Sequence, residues 1–296
     1  MVAIENEDRD QYELQLKVWE EPVPQGKYVI GCDTAYGRND HKDRNCLSVF
    51  RCFADKIVQV AEFASADVEI KHTAWILAHL AGVYRDCIVN IEANGPGAII
   101  MQEWDTLRGM LKSDLYSERV RSFEWQDFLG HARWYLYHRP DSLGAGYAYN
   151  SMTNNRTTYT MMHGLKGEYV TNGVLIRSMA LLKEMVGVIQ DGNHIGCRES
   201  QDEDAKDDRV YAAALALQAW TDWRKRELIT FGLTYDLVMS QERDLPPEDP
   251  DAAARFRASK AASAVVLKFF KTREELAAQA EVANYAPKWM IDRGLA

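Results

Sequence analysis

The apolar patterning of this chain begins at Tyr28. KYVIGCDTAYG (27–37) is an apolar run that opens into a glycine-containing turn, and NCLSVFRCFA (45–54) and KIVQVAEFA (56–64) are two further runs rich in β-branched and aromatic residues. Their length and composition predict three strands, and the short polar connections predict an antiparallel meander. The period then changes. VEIKHTAWILAHLAGVY (68–84) places apolar residues at helical spacing, DCIVNIE (86–92) is a short apolar strand, and GPGAIIMQEWDTLRGMLK (95–112) is a second helix with Pro96 suited to its first turn. The tract 113–133 is aromatic and charged and reads as helical, while WYLYHRP (134–140) reads as a fifth strand stopped by Pro140. TTYTMMHGLKGEYV (157–170) and SMALLKEMVGVIQ (178–190) read as helices, and a polar loop leads into a further helix starting near Asp207.

This order predicts an α/β fold: a mixed sheet of about five strands, a three-strand antiparallel meander plus parallel strands, flanked by helices on both faces. Three regions are expected along the chain. Residues 1–26 are a charged, extended arm ending in the turn sequence EPVPQG, residues 27–223 are the core domain, and residues 224–296 are a tail with a Pro-containing acidic stretch and an Ala-rich helix over 251–270. With 296 residues, 47% of them hydrophobic, the chain can bury a large core.

Composition narrows the function classes. The five cysteines, Cys32, Cys46, Cys52, Cys87 and Cys197, are odd in number and never spaced as CxxC, so they read as reduced core thiols rather than disulfides or zinc ligands. The seven histidines show no i, i+4 pair of the kind that binds zinc on a helix. No apolar run approaches the ~18–20 residues that span a bilayer, and the acidic start MVAIENEDRD has no signal-peptide pattern, so a soluble, intracellular protein with no membrane partner is expected. A GxxxxGK[ST] nucleotide-binding loop is absent from the sequence. The net charge of −9 opposes autonomous tight binding to nucleic acid. Much of that charge, however, sits in ESQDEDAKDD (199–208) and QERDLPPEDPD (241–251), which leaves other faces free to be basic.

The candidate chemistry lies in three acidic signatures: Asp33 at the end of the first strand, Glu92 at the end of DCIVNIE, and the pair Asp207 and Asp208 at the start of a helix. The inward stripe of that helix, Val210, Ala213, Ala214 and Leu217, is alanine-rich and suits close packing on a sheet. Alone, each acid also fits a plainer role: Asp33 as a turn cap, Glu92 as a surface turn residue, Asp207 and Asp208 as acids favoured by the helix dipole. Together they could converge on one point, and converging carboxylates need cations between them, the logic of a two-metal phosphodiester-cleaving site. Hard carboxylate oxygens suit two Mg2+ or Mn2+ ions better than zinc or copper. Asn94 could position a phosphate or a metal-bound water, or simply adopt a left-handed turn. Arg156, Lys166 and Arg209 could contact phosphates, or could be exposed basic side chains.

PVPQGKYVIGCDTAYG, IEANGPG, the GYAYNSMTNNRT region and KDDRVYAAALALQAW, in that order, resemble the nuclease domain of the large terminase subunit of tailed bacteriophages, over about Tyr12 to Trp223. The resemblance implies an RNase H-like fold and a metal-dependent endonuclease that cuts concatemeric double-stranded DNA during genome packaging in the host cell cytoplasm. It implies the portal protein, the small terminase subunit and a motor ATPase domain as partners. Asp33 and Glu92 match the family's first two metal-binding acids, and Asp207 and Asp208 match its third motif, with Asp208 favoured as the inner ligand. Asp43 is the nearest candidate for a further family aspartate, although its spacing is longer and a solvated loop explains it as well. The family's ATPase normally precedes the nuclease, so the chain is expected to be the portion that follows it. Two other readings stay open: an RNase H-like transposase or resolvase, and a non-catalytic module that docks a motor to a portal.

Overall fold

A computed structural model of the chain describes residues 15–23, 25–35, 43–111, 136–139, 151, 153–192, 194–197 and 206–243. The main sheet is built from β1 (Leu16–Val18), β2 (Tyr28–Asp33), β3 (Asn45–Cys52), β4 (Ile57–Ser65), β5 (Cys87–Ile91) and β6 (Val174–Leu175), in the order β1-β4-β3-β2-β5 with β6 also on β4. β2, β3 and β4 are the expected antiparallel meander, and β5 pairs with β2 in parallel. This is the expected mixed sheet, an antiparallel meander whose first strand takes a parallel partner.

Helices cover both faces. α1 (Ile70–Val83) and α2 (Gly97–Leu111) pack on one side, where Ile30, Leu47, Val49, Phe63, Leu77, Ile100 and Trp104 form one core. α3 (Asn155–Val170), α4 (Met179–Gly187) and α5 (Asp208–Ala219) pack on the other, where Val29, Phe50, Leu165, Leu181, Val210, Leu217 and Trp220 form a second. Consecutive residues of a strand point to opposite faces. With apolar layers on both sides, β2, β3 and β4 are therefore buried at every position and read as continuous apolar runs.

Several elements depart from the sequence reading. Helix α4 stops at Gly187, and the following Val188–Asp191 is a strand, β7, paired in a hairpin with β8 (His194–Cys197). The expected continuation of a helix through Gln190 is thus corrected. Val188 and Ile189 are β-branched, and Gly192 adopts the left-handed φ of +59° at the hairpin turn. Short β1 and β6, not anticipated, cover the outer edge of β4 in two pieces, Ala61–Phe63 and Ile57–Val58. Of the expected fifth strand, Leu136 makes a parallel bridge to Val89, and Tyr137 N donates to Val89 O at 2.8 Å. The expected helices over 113–133 and 251–270 lie outside the described residues. A π-helical turn (Trp220–Arg224), α6 (Lys225–Thr230) and α7 (Tyr235–Arg243) continue beyond α5. They pack on the core: Leu228 is buried, and the buried Arg51 guanidinium pairs with Glu20 of the N-terminal arm and Glu242 of α7. The cysteines are free thiols, four of them buried, as expected. Among the described residues no helix is long and apolar enough to cross a membrane.

The contact that sets the position of α5 is at Gly31. A Cβ on Gly31 would overlap the carbonyl oxygen of Ala212 and lie 2.6 Å from the backbone nitrogen of Ala216. The helix therefore lies directly on the strand backbone, with Ala212 and Ala216 fully buried there. The predicted stripe Val210, Ala213, Ala214 and Leu217 is buried as well. Gly31→Val is expected to destabilise the fold by about 3 kcal/mol or more, because the overlap is with backbone that cannot rotate aside. Urea denaturation checks this, and an unchanged midpoint would mean that the helix does not approach so closely.

Candidate active site

The parallel register of β2 and β5 pairs Cys32 with Ile91, and Glu92 N donates to Cys32 O at 2.9 Å. Asp33 and Glu92 therefore stand side by side just where the two strands end. The turn after Asp33 is held by the buried Asn45, whose Oδ1 accepts from Ala35 N at 3.0 Å while its Nδ2 donates to Val68 O at 2.8 Å. The turn after Glu92 depends on Gly97, where a Cβ would overlap the Glu92 carbonyl oxygen. Asn90 ties the strand end to α5: its Nδ2 donates to Leu215 O at 3.0 Å, and its Oδ1 accepts from Ser151 N at 3.1 Å.

Asp33 is 9% exposed. Burial, then the charge of Glu92 and a side-chain hydrogen bond with it, then the charges of Asp208 and Asp207, hold its carboxyl well above the usual carboxylate range. The two carboxyl groups thus face each other across the ends of β2 and β5. The Thr153 hydroxyl donates to Glu92 Oε1.

Asp208 faces the same region from the first turn of α5. Its Oδ2 accepts from Arg44 N at 3.2 Å. Burial, with the charges of Asp43, Glu184 and Asp207 adding to it against the Arg44 amide, pushes its carboxyl up to about 7. Asp207 is the N-cap residue, and instead of capping the helix its Oδ2 accepts from Cys197 N at 2.9 Å on β8. Burial raises its carboxyl too, with Glu184 and Asp43 contributing.

The expected four-acid cluster is therefore two pairs. Among the described residues no three His, Cys, Asp or Glu side chains are gathered closely enough to hold one metal ion together. Asp33 and Glu92 face each other at the strand ends, while Asp207 and Asp208 each accept from a backbone N–H. The donor chemistry nevertheless fits a hard divalent cation, since all four acids offer oxygen and three of them are held above their ordinary carboxylate range by burial among like charges. One residue after Asp33, the buried Thr34 hydroxyl has no hydrogen-bond partner among the described residues. A buried hydroxyl left unsatisfied there calls for a further polar group.

The remaining candidates divide clearly. Asn94 Nδ2 donates to Thr153 O at 2.7 Å and to Thr153 Oγ1 at 2.6 Å, so its amide is engaged by the loop before α3. Arg156 is exposed on the first turn of α3, close in sequence to Thr153. Lys166 is exposed on α3, about 15 Å farther along at 1.5 Å per residue, and lines an apolar cavity with Met162, Met185 and Ile195. Asp43 is exposed, lies 3.4 Å from Lys206 Nζ, and adds its charge to the field at Asp207 and Asp208.

Arg209 as a phosphate contact is corrected. It is 7% exposed, its Nε donates to Glu62 Oε1 at 3.0 Å, and its Nη1 pairs with Glu184. Glu184 also accepts from Arg44 Nη1 at 3.2 Å and from Arg209 N at 2.9 Å, so one buried acid of α4 braces both residues flanking the Asp208 carboxylate contact. Glu62, Glu184, Asn45 and Thr153 are site residues the sequence reading missed. None stands in a motif, and their roles arise only from packing between distant segments.

No family model and no curated protein matches the sequence. Among solved structures, the chain is similar to nuclease domains of phage large terminases. The large terminase nuclease of thermophilic phage G20c with bound magnesium has a TM-score of 0.47 at 15% identity, over 69% of this chain and 87% of that one. The same nuclease with bound zinc has a TM-score of 0.43 at 14% identity, over 69% and 87%. The large terminase nuclease domain of Thermus phage P74-26 has a TM-score of 0.42 at 16% identity, over 68% of this chain and 84% of that one.

Proposed function

We propose that this chain is a Mg2+- or Mn2+-dependent endodeoxyribonuclease, the nuclease part of a viral genome-packaging terminase, which cuts concatemeric double-stranded DNA in the host cytoplasm. One observation carries the reading: buried Asp33 and half-buried Glu92 stand side by side at adjacent parallel strand ends, with Asp33 in the field of Asp207 and Asp208 on a helix laid directly over the same strand. A protein keeps such a group of carboxylates when a cation belongs among them.

Asp33 and Glu92 would hold a divalent ion, with Asp208 and Asp207 as donors toward the second. Such ions supply Lewis acidity when bound, generating a nucleophile from water at neutral pH and stabilising the attacking and leaving oxygens. The chain's own part is to orient. Asp33 and Glu92 would present carboxylate oxygens to the ion from adjacent strand ends, and exposed Arg156 would offer a charge to a phosphate. No side-chain nucleophile is required, and the products would carry 3′-hydroxyl and 5′-phosphate ends. Because the chain is acidic overall, the duplex would be held by other parts of the packaging complex: a motor ATPase, the portal protein and the small terminase subunit.

Incubation of supercoiled plasmid with the full chain and Mn2+ or Mg2+ is expected to give nicked and linear DNA, and chelation should abolish it. Asp33→Asn and Glu92→Gln are each expected to slow cutting by more than the about 100-fold typical of changes to residues behind a metal ligand. Cutting at wild-type rate by both variants would refute the site, and strand transfer or junction preference would redirect the reading to a transposase or resolvase.

The raised carboxyls also predict a pH dependence of stability. Asp208 is raised from 3.8 to about 7, so between those values the folded state binds more protons than the unfolded state, and metal-free stability falls as pH rises through that window. Thermal melts without divalent ions should show a loss of more than about 1 kcal/mol between pH 5 and pH 8. Asp208→Asn should flatten the profile, and Mn2+ should restore stability at pH 8. A wild-type profile that rises across this range would contradict the charge crowding.

A further inference from the structure

We infer that Thr153 is a positioning residue for Glu92, resting on the metal-dependent reading of the site given above. The hydrogen bonds along Asn94, Thr153 and Glu92 run in one direction. Asn94 Nδ2 donates to Thr153 Oγ1 at 2.6 Å, which occupies the hydroxyl as an acceptor. The single hydroxyl hydrogen is then directed to Glu92 Oε1. This fixes one carboxylate oxygen and leaves the other for a ligand.

The backbone around Thr153 is held on both sides, so its hydroxyl is pre-set rather than adaptable. Upstream, Ser151 bridges in parallel to Glu92: Ser151 N donates to Ile91 O at 3.1 Å, Ala93 N donates to Ser151 O at 2.7 Å, and Ser151 Oγ donates to Gln218 Oε1 of α5 at 2.7 Å. Downstream, Asn154 caps α3, its Oδ1 accepting from Arg156 N and Thr157 N at 3.0 Å each. Asn94 Nδ2 also donates to the Thr153 carbonyl at 2.7 Å. A β-branched residue in such a frame has little χ1 freedom. The same loop that carries Thr153 therefore sets the carboxylate and opens α3, so the orientation of Glu92 is linked to the segment bearing the exposed Arg156.

Two changes separate orientation from mere stapling of the loop. Thr153→Val keeps shape and volume but cannot donate, and Thr153→Ser keeps the donor. The readout is the Mn2+ concentration giving half-maximal thermal stabilisation of the full chain, alongside plasmid cutting. Outer residues that orient metal ligands are worth about 10–100-fold in metal affinity. Thr153→Val is expected to raise the half-point by about tenfold and to slow cutting, while Thr153→Ser stays within about twofold of wild type. A Thr153→Val half-point equal to wild type, even with a lower metal-free melting temperature, would overturn the inference, as would a Ser variant as impaired as the Val one. If Thr153→Val does not fold, Asn94→Ala decides: it leaves the hydroxyl without its donor, a several-fold rise in half-point is expected, and a wild-type half-point overturns the proposal. Absence of divalent-dependent cutting by the unmodified chain would instead remove the nuclease reading, so the two failures are distinct.

Discussion

The close seating of α5 on β2 at Gly31 is the constraint on which the site depends. With no side chain between helix and strand, the first turn of α5 is brought over the ends of β2 and β5, and the field of Asp207 and Asp208 reaches the buried Asp33. The alanines of the helix make this approach possible from their side, and glycine makes it possible from the other. Asn90, reaching from β5 to the Leu215 carbonyl, fixes how far along the strand the helix sits. A helix held one side-chain layer farther away would leave Asp33 and Glu92 as an isolated pair.

That geometry concentrates like charge in a place with little water, and the protein meets it partly with backbone N–H groups. Burial beside Glu92 holds the Asp33 carboxyl above the usual range; Asp208 leans on the Arg44 amide and Asp207 on that of Cys197. Behind them, Glu184 and Glu62 are neutralised by Arg209, which is why that arginine points inward and not to the surface. Each compensation is local and exchangeable. Carboxylates satisfied in this way can pass to a cation without rebuilding the fold, because strand ends, the start of α5 and the hairpin hold their backbones in place.

Much of this arrangement was legible in the residues themselves. Three apolar runs with short turns read as a meander, and DCIVNIE between two helices read as a further strand. The sequence allowed Asp33 and Glu92 to meet if their strands were neighbours, and the parallel pairing of β2 with β5 sets them side by side. What was not legible depends on contacts between distant segments. Val188 and Ile189 follow a helical pattern without a break in polarity, and only their pairing with His194–Cys197 makes them a strand. Leu16–Val18 is too short to signal a strand, and it exists because the edge of β4 needs a partner. Arg209 sits in a helix start like any exposed arginine, and its burial is decided by Glu62 and Glu184, 147 and 25 residues away. Thr153 has no motif at all, and its role follows from the parallel bridge that sets it beside Glu92.

The central claim is that Asp33 and Glu92 hold a divalent ion between their carboxylates. The most direct measurement is a crystal of the full chain soaked in Mn2+, with anomalous scattering recorded at the manganese edge. The expected result is an anomalous peak between the carboxylates of Asp33 and Glu92, on the side facing Asp208. A peak bound elsewhere, with Asp33 and Glu92 still hydrogen-bonded to each other, would contradict it.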